Sequence, residues 1–570
     1  MENTAGGKFR GKLLLTAILV AAFAGTFAYF GPSSVAAADE PLLGGRIASS
    51  SGEALAGIPV RAHRANSNVT VSVYTNSRGE YSFPAWSDLT PSSYTVAVEL
   101  PDFEPVRREA VTLSAGKTEK LDFTLQPRQP SYSDARASEI VAALPGTDEQ
   151  KFLLTQCSNC HSLQWALRVP RTKEEWAKIV LRMAGENSPS SLATGSSYFG
   201  NKMYRDTLVD YLASIRGPGS SDEIPFRLRP RPTSDASTRL VVTEYDVPRG
   251  GQYEPYMFRG DRRFVWPHDV IMNKQYAYYT DHYSSALGRL DRKTGEVKEF
   301  TYEQAPRQAL APGMERAGFM QRAGGTRDLY FDPDGNVILA GFRFDVTSEQ
   351  FAPAPEAKDI LGFTAAGDLW TLEEKTGTLK MRERKSGSEK TYQIPPVPSN
   401  AVMYDSWVDA KGRPIFLFWG QGKVGVFDPK TEQFASHPVP TPRSGPRRGH
   451  PDATGRSWYS LYWGGRLGMI DPDKGELKEF PLVPDSKSFG PPFAAPYTAS
   501  VDDKNQIVWA NDFNSNRLFR FDMKTERTTE YFMPLPYEIR DLTVETNAER
   551  PTVWIPSYRP PSKLVKVQLY

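Results

Sequence analysis

Both cysteines of this 570-residue chain fall in Cys157-Ser158-Asn159-Cys160-His161. Two thiols three positions apart can each form a thioether with a porphyrin vinyl group, and the adjacent imidazole can coordinate iron. The motif therefore reads as the attachment site of one covalent haem c, with His161 as an iron ligand. A zinc site would need a fourth ligand and normally a second cysteine pair, and the chain has none. A thioredoxin-like dithiol needs no following histidine. The sixth iron position calls for a further ligand, and a thioether suits electron transfer. Met183 is the first candidate and Met203 the alternative; an open iron position is the third outcome.

The elements that must hold these groups are helical. Asp148 to Gln156 reads as a short helix delivering Cys157. Thr172 with Glu175 three residues on forms a capping box, and Trp176, Ile179, Val180 and Met183 repeat at i, i+3, i+4 and i+7. Leu208, Tyr211, Leu212 and Ile215 mark a third helix with one apolar face. Residues 138–217 thus resemble the small all-α cytochrome c domain. The run from Trp176 to Met183 is similar to the W-x6-M pattern of short cytochromes attached to oxidoreductases, a resemblance that implies Met183 as ligand.

A second set of polar residues belongs to a repeat. Leu287-Gly288-Arg289-Leu290-Asp291-Arg292-Lys293-Thr294-Gly295 returns weakly at Met381 to Gly387 and clearly around Phe427-Asp428, Ile470-Asp471 and Phe521-Asp522, spaced by roughly 43 to 51 residues with one gap of twice that between Gly295 and Gly387, which is propeller spacing. Residues 239–570 read as a seven-bladed all-β propeller, closed by Leu240–Tyr245 as an outer strand beside the last blade. The blade phrase resembles that of streptogramin lyases such as virginiamycin B lyase and, more distantly, gluconolactonase-like propellers. Loops at one end of the central channel nominate His268, His282, Arg327, His450, Tyr497 and Arg540, among aspartates that include Asp269, Asp328, Asp405 and Asp541. Such a channel mouth could take an anionic or polyhydroxylated ligand, or a divalent cation held by carboxylates. The lyase resemblance implies a histidine base, a role for His268 or His450, and a cation with a glutamate ligand. No glutamate stands at the matching positions.

The remaining segments carry no chemistry. Lys8, Arg10 and Lys12 precede an apolar run to Phe30 and Ala36-Ala37-Ala38, so residues 1–38 read as a signal peptide or an uncleaved N-terminal anchor. Residues 41–127 alternate with period two between turn residues and read as a small antiparallel sandwich, with Val69–Tyr74, Asn76–Gly79 and Tyr81–Phe83 forming a hairpin. This stretch resembles the carboxypeptidase regulatory-like domain. Residues 218–238 are rich in Pro, Arg, Ser and Asp and read as a linker.

The fold class is therefore multidomain: a small all-β sandwich, an all-α cytochrome c domain and an all-β seven-bladed propeller. With 69 Lys+Arg against 67 Asp+Glu, the charge is too balanced for a nucleic-acid binder. The expected function is an exported, periplasmic or extracellular c-type cytochrome with electron-transfer activity. Its propeller would bind a small-molecule substrate or a redox partner protein, and a haem-dependent oxidoreductase of dehydrogenase type is the enzymatic form of this reading. The alternatives are a metal-dependent lyase or hydrolase with an accessory haem domain, and a noncatalytic surface binding protein.

Overall fold

The computed structural model of the protein describes residues 41–159, 162–184, 202–251, 264–302, 328–396, 403–483, 494–559 and 561–570. The leader at 1–38, Cys160, His161 and Arg327 lie outside the described residues. Among those described, no helix is long and apolar enough to cross a membrane.

The N-terminal β domain has two layers. Strand Leu43–Ser49 pairs antiparallel with Glu80–Ser82 but parallel with Glu119–Lys120 and Phe123–Leu125, so the sandwich is not wholly antiparallel. The expected hairpin is also corrected. Asn76 to Gly79 does make a tight turn, with Gly79 at φ +73°, and the Asn76 side chain accepts from the Arg78 and Glu80 amides. That turn carries the chain from one layer to the other, because Val69–Tyr74 pairs with Pro59–Arg64 and not with Glu80–Ser82. Alternation and a turn signal give two strands; which neighbours they take is decided by the faces they must bury.

Beyond the helices, six sheets of four strands each cover 267–301, 330–353, 360–393, 403–438, 446–481 and 499–532 among the described residues. A further set of four is Thr543–Val544, Thr552–Ser557, Lys563–Leu569 and Leu240–Asp246, in that order. The first strand of the ring, Leu240–Asp246, is thus the outermost strand beside the last one of the chain, which ties the two ends together. It does not end the sheet. Its other edge pairs antiparallel with Val69–Tyr74, so eight strands run continuously from the propeller into the sandwich. Arg61 of the sandwich reaches across this seam to Glu244, which is fully buried, at 3.1 Å.

The repeated phrase has a packing cause. A Cβ on Gly288 would fall 1.9 Å from the Tyr279 ring, and one on Gly468 2.2 Å from Tyr459, because an aromatic of the adjoining strand lies flat over each glycine. The aspartate that closes the phrase caps the turn after it. Asp291 accepts from the Lys293 and Thr294 amides at 2.9 Å each, and Asp522 does the same with Lys524 and Thr525.

Helices α1 (Ala137–Ala143), α2 (Asp148–Thr155), α3 (Leu163–Leu167), α4 (Lys173–Ala184) and α5 (Lys202–Arg216) stand between sandwich and ring in sequence. Thr147 accepts from the Gln150 amide at the start of α2, and Thr172 with Glu175 caps α4 reciprocally. Their apolar faces do not close on themselves alone. Ile140, Phe152, Trp176, Leu208 and Tyr211 form one core with Tyr404, Trp419, Trp463, Tyr497 and Phe513 of the propeller. The helices therefore sit on the ring, and each large side chain buried there contributes about 1.5–3 kcal/mol.

Candidate functional site

Cys157 sits in a 3-10 turn, Gln156–Asn159, that continues α2. It lines a cavity of about 200 Å³ with Trp165, Trp176, Met183, Leu208 and three guanidiniums, Arg168, Arg171 and Arg182. Met183 reaches this cavity because α4 turns its face toward α5. Met203, in the first turn of α5, is 60% exposed and is not among the lining residues. Arg168 stacks 3.6 Å over Trp165, and Arg171 lies 5.0 Å from the centre of Trp176. Burial, together with the like charges of Arg168 and Arg182, lowers the pKa of Arg171. Among the described residues, no acidic one lines the cavity. Thiol, thioether, apolar wall and a cationic rim fit a haem, whose propionates carry negative charge.

The turn Gln156–Asn159 is clamped against the propeller. Gln156 accepts from the Trp463 indole N–H at 2.8 Å, and Ser158 donates to the Asn514 side chain at 2.7 Å. Trp463 stacks on Trp419 with ring centres 4.6 Å apart, and Trp419 meets Tyr404 edge-on at 5.0 Å. Two aromatic shells thus separate the turn from the channel.

The channel residues converge but do not form an open mouth. His268, His282, Tyr497 and Arg540 are all at most 3% exposed, and Tyr497 shares one apolar core with the helical layer. His268 and His282 lie 4.9 Å apart, ring centre to ring centre. Tyr558 donates to Tyr283 at 2.8 Å, and its hydroxyl lies 2.8 Å from His282 Nδ1. Arg540 lies 3.8 Å over Tyr558 and pairs with Glu538 at 2.5 Å.

The centre of the channel belongs to two arginines that repeat alignment did not nominate. Arg448 pairs with Asp541 at 2.8 Å, with Asp328, and at 3.7 Å with Asp405, and its Nη1 approaches His268 Nδ1 at 3.4 Å. Burial pushes Asp405 up from its ordinary 3.8 to about 6, and raises Asp269 as well, the latter helped by the charge of Asp541. Arg447 is enclosed by Tyr497 at 3.7 Å, Tyr462 at 4.1 Å, and Tyr404 and Trp419 at 4.6 Å each. His450 stands apart, hydrogen-bonded through Nδ1 to the Ala499 carbonyl at 2.8 Å. The signal that would have found the arginines is proline. Pro267-His268, Pro446-Arg447 and Pro496-Tyr497 enter their blades alike, and the first two strands carry the same register shift just after the proline.

Residues 43–126 match the carboxypeptidase regulatory-like domain family. No curated protein matches the chain. Among solved structures, a streptogramin B lyase aligns at 16% identity over 59% of this chain and 100% of its own, with a TM-score of 0.44. Virginiamycin B lyase from Staphylococcus aureus aligns at 15% identity over 58% of this chain and 99% of its own, at 0.43. The extracellular domain of a one-component system protein from B. thetaiotaomicron covers 53% of this chain and 40% of its own at 14% identity, at 0.39. Strand pairing, not these alignments, carries the ring described above.

Proposed function

We propose that this protein is an exported c-type cytochrome whose haem is held by residues of the helical layer and whose seven-bladed propeller binds the substrate or redox partner. The observation that supports it best is the meeting of Cys157 and Met183 in one cavity rimmed by Arg168, Arg171 and Arg182. Cys157 and Cys160 would hold the haem covalently, His161 and Met183 would bind its iron, and the arginines would pair with its propionates. When bound, haem c supplies reversible one-electron chemistry at iron. The chain's own residues fix the rest. Trp176 donates its indole N–H to the Arg216 carbonyl at 3.1 Å, and Arg216 binds the Leu167 and Arg168 carbonyls at 2.7 and 3.2 Å, so the cavity wall is held from behind. Gln156 and Ser158 hold the attachment turn against the ring, so a partner engaging the propeller is coupled to the haem environment through Trp463 and Asn514.

The test is production in a host competent in cytochrome maturation, followed by visible absorbance before and after chemical reduction. Sharpened bands on reduction support the reading; an unchanged, featureless spectrum overturns it.

A further inference from the structure

A contiguous run of aromatic rings joins the turn that carries Cys157 to the propeller channel. Trp463 gives its indole N–H to Gln156, the neighbour of Cys157, at 2.8 Å. It stacks on Trp419 with ring centres 4.6 Å apart and planes 20° from parallel. Trp419 meets Tyr404 edge-on at 5.0 Å, and the Tyr404 and Tyr497 hydroxyls share a hydrogen bond. All four rings are buried. The backbone makes room for the stack at Gly445, φ +66°, where a Cβ would fall 2.4 Å from the Trp463 ring and 2.7 Å from Trp419 Nε1.

Tyr404 also belongs to a second place. It lines a cavity of about 520 Å³ with Tyr330, Met403 and the two carboxylates Asp328 and Asp405. Lys358, Glu373 and Lys375 stand exposed on the same lining, so this cavity has an outer edge, whereas His268 and His282 are enclosed. A molecule seated against Tyr404 is separated from Gln156 by two indoles. Arg447 lies within 3.7 to 4.6 Å of Tyr497, Tyr462, Tyr404 and Trp419. A cation so close disfavours a positive hole resting on any one of these rings, so charge passes through the run rather than settling on it.

We propose that Tyr404, Trp419 and Trp463 form the electron path between a small organic electron donor in this cavity and the haem, an inference that rests on the cytochrome reading above. In each passage one electron leaves the donor and arrives at ferric iron, which becomes ferrous; no bond forms or breaks along the run. Electron transfer weakens steeply with separation, and an indole gives up an electron more readily than a phenyl ring. Two stacked indoles between the cavity and the turn therefore do more than fill a core, for which phenylalanine would serve.

The test is flash photolysis of the full chain, loaded with haem and reduced. Lys375→His protein, labelled at that position alone with a ruthenium polypyridyl complex, is excited beside hexaammineruthenium(III), which accepts one electron from the excited label. The ruthenium(III) left on the protein then takes one electron from ferrous haem, read as loss of the ferrous absorbance band. We expect this step to be at least tenfold slower in Trp419→Phe and in Trp463→Phe, with the haem spectrum unchanged. Trp370→Phe, which alters a buried indole in the blade that carries the label but outside the run, should leave the rate as it was. Trp419 Nε1 has no hydrogen-bond partner among the described residues, so Trp419→Phe breaks no such bond and decides alone should Trp463→Phe fail to fold. Equal rates in all variants, or slowing in Trp370→Phe to match Trp419→Phe, would overturn the path while leaving the cytochrome in place. Protein without haem bands would overturn the cytochrome reading, and the path with it.

Discussion

The indole N–H of Trp463, in the propeller, donates to the side-chain oxygen of Gln156, the residue before the first cysteine, at 2.8 Å with both groups buried. A hydrogen bond across a dry seam stabilises modestly when made and costs more when one partner is left alone. Trp463→Phe should therefore lower the unfolding free energy by about 1–3 kcal/mol, measured by urea denaturation. Gln156→Ala should cost a similar amount, and the double variant less than the sum, as neighbours in one interaction do. Additive effects would mean the contact does not join helices to ring.

The buried carboxylate Asp405 makes stability depend on pH. Its folded pKa, near 6, lies above its ordinary 3.8. The folded protein then keeps a proton that the unfolded chain has released, so stability from this group is present below about pH 4 and declines as pH rises to about 6. Asp405→Asn removes this loss. Above pH 6 it should gain up to about 3 kcal/mol relative to the parent, at about 1.36 kcal/mol per pH unit, with no such gain at pH 4. Equal changes at both pH values would contradict the shift.

Glu244 joins the ring to the sandwich. It is fully buried and binds Arg61 at 3.1 Å, with Lys563 at 3.8 Å. Removing one partner of a buried pair leaves an uncompensated charge, so Glu244→Gln should cost about 3 kcal/mol or more. Since eight strands run through the seam, sandwich and ring should melt in one transition by calorimetry. A separate, earlier sandwich transition in the parent protein would refute the continuous sheet.

Much of this architecture was legible, and what was not has physical reasons. The repeat phrase announced its blades because a glycine under an aromatic ring and an aspartate capping a turn are local requirements. His268 and His282 were found by the same periodicity. Arg447 and Arg448 were missed because the fifth blade begins at Pro446, four residues before His450, and alignment on histidine slid past it. The pairing of Val69–Tyr74 with Leu240–Asp246 joins strands about 170 residues apart and leaves no local mark. Neither does the packing of the helices on Tyr404, Trp419 and Tyr497, which depends on apolar faces buried against another domain.

The two candidate methionines are separated by the cavity. Met183 shares it with Cys157, whereas Met203 faces solvent. In haem-loaded protein, Met183→Leu should lower the reduction potential and change the oxidised spectrum, while Met203→Leu leaves both unchanged, because thioether ligation raises the potential. The opposite pattern would transfer the ligand to Met203.

The most direct test of the account is the intact mass of protein exported by a host that matures c-type cytochromes, compared with a Cys157→Ala, Cys160→Ala double variant. The account predicts that the parent exceeds its polypeptide mass by one haem that survives denaturation, and that the variant does not. A parent protein with the mass of the bare polypeptide would contradict it.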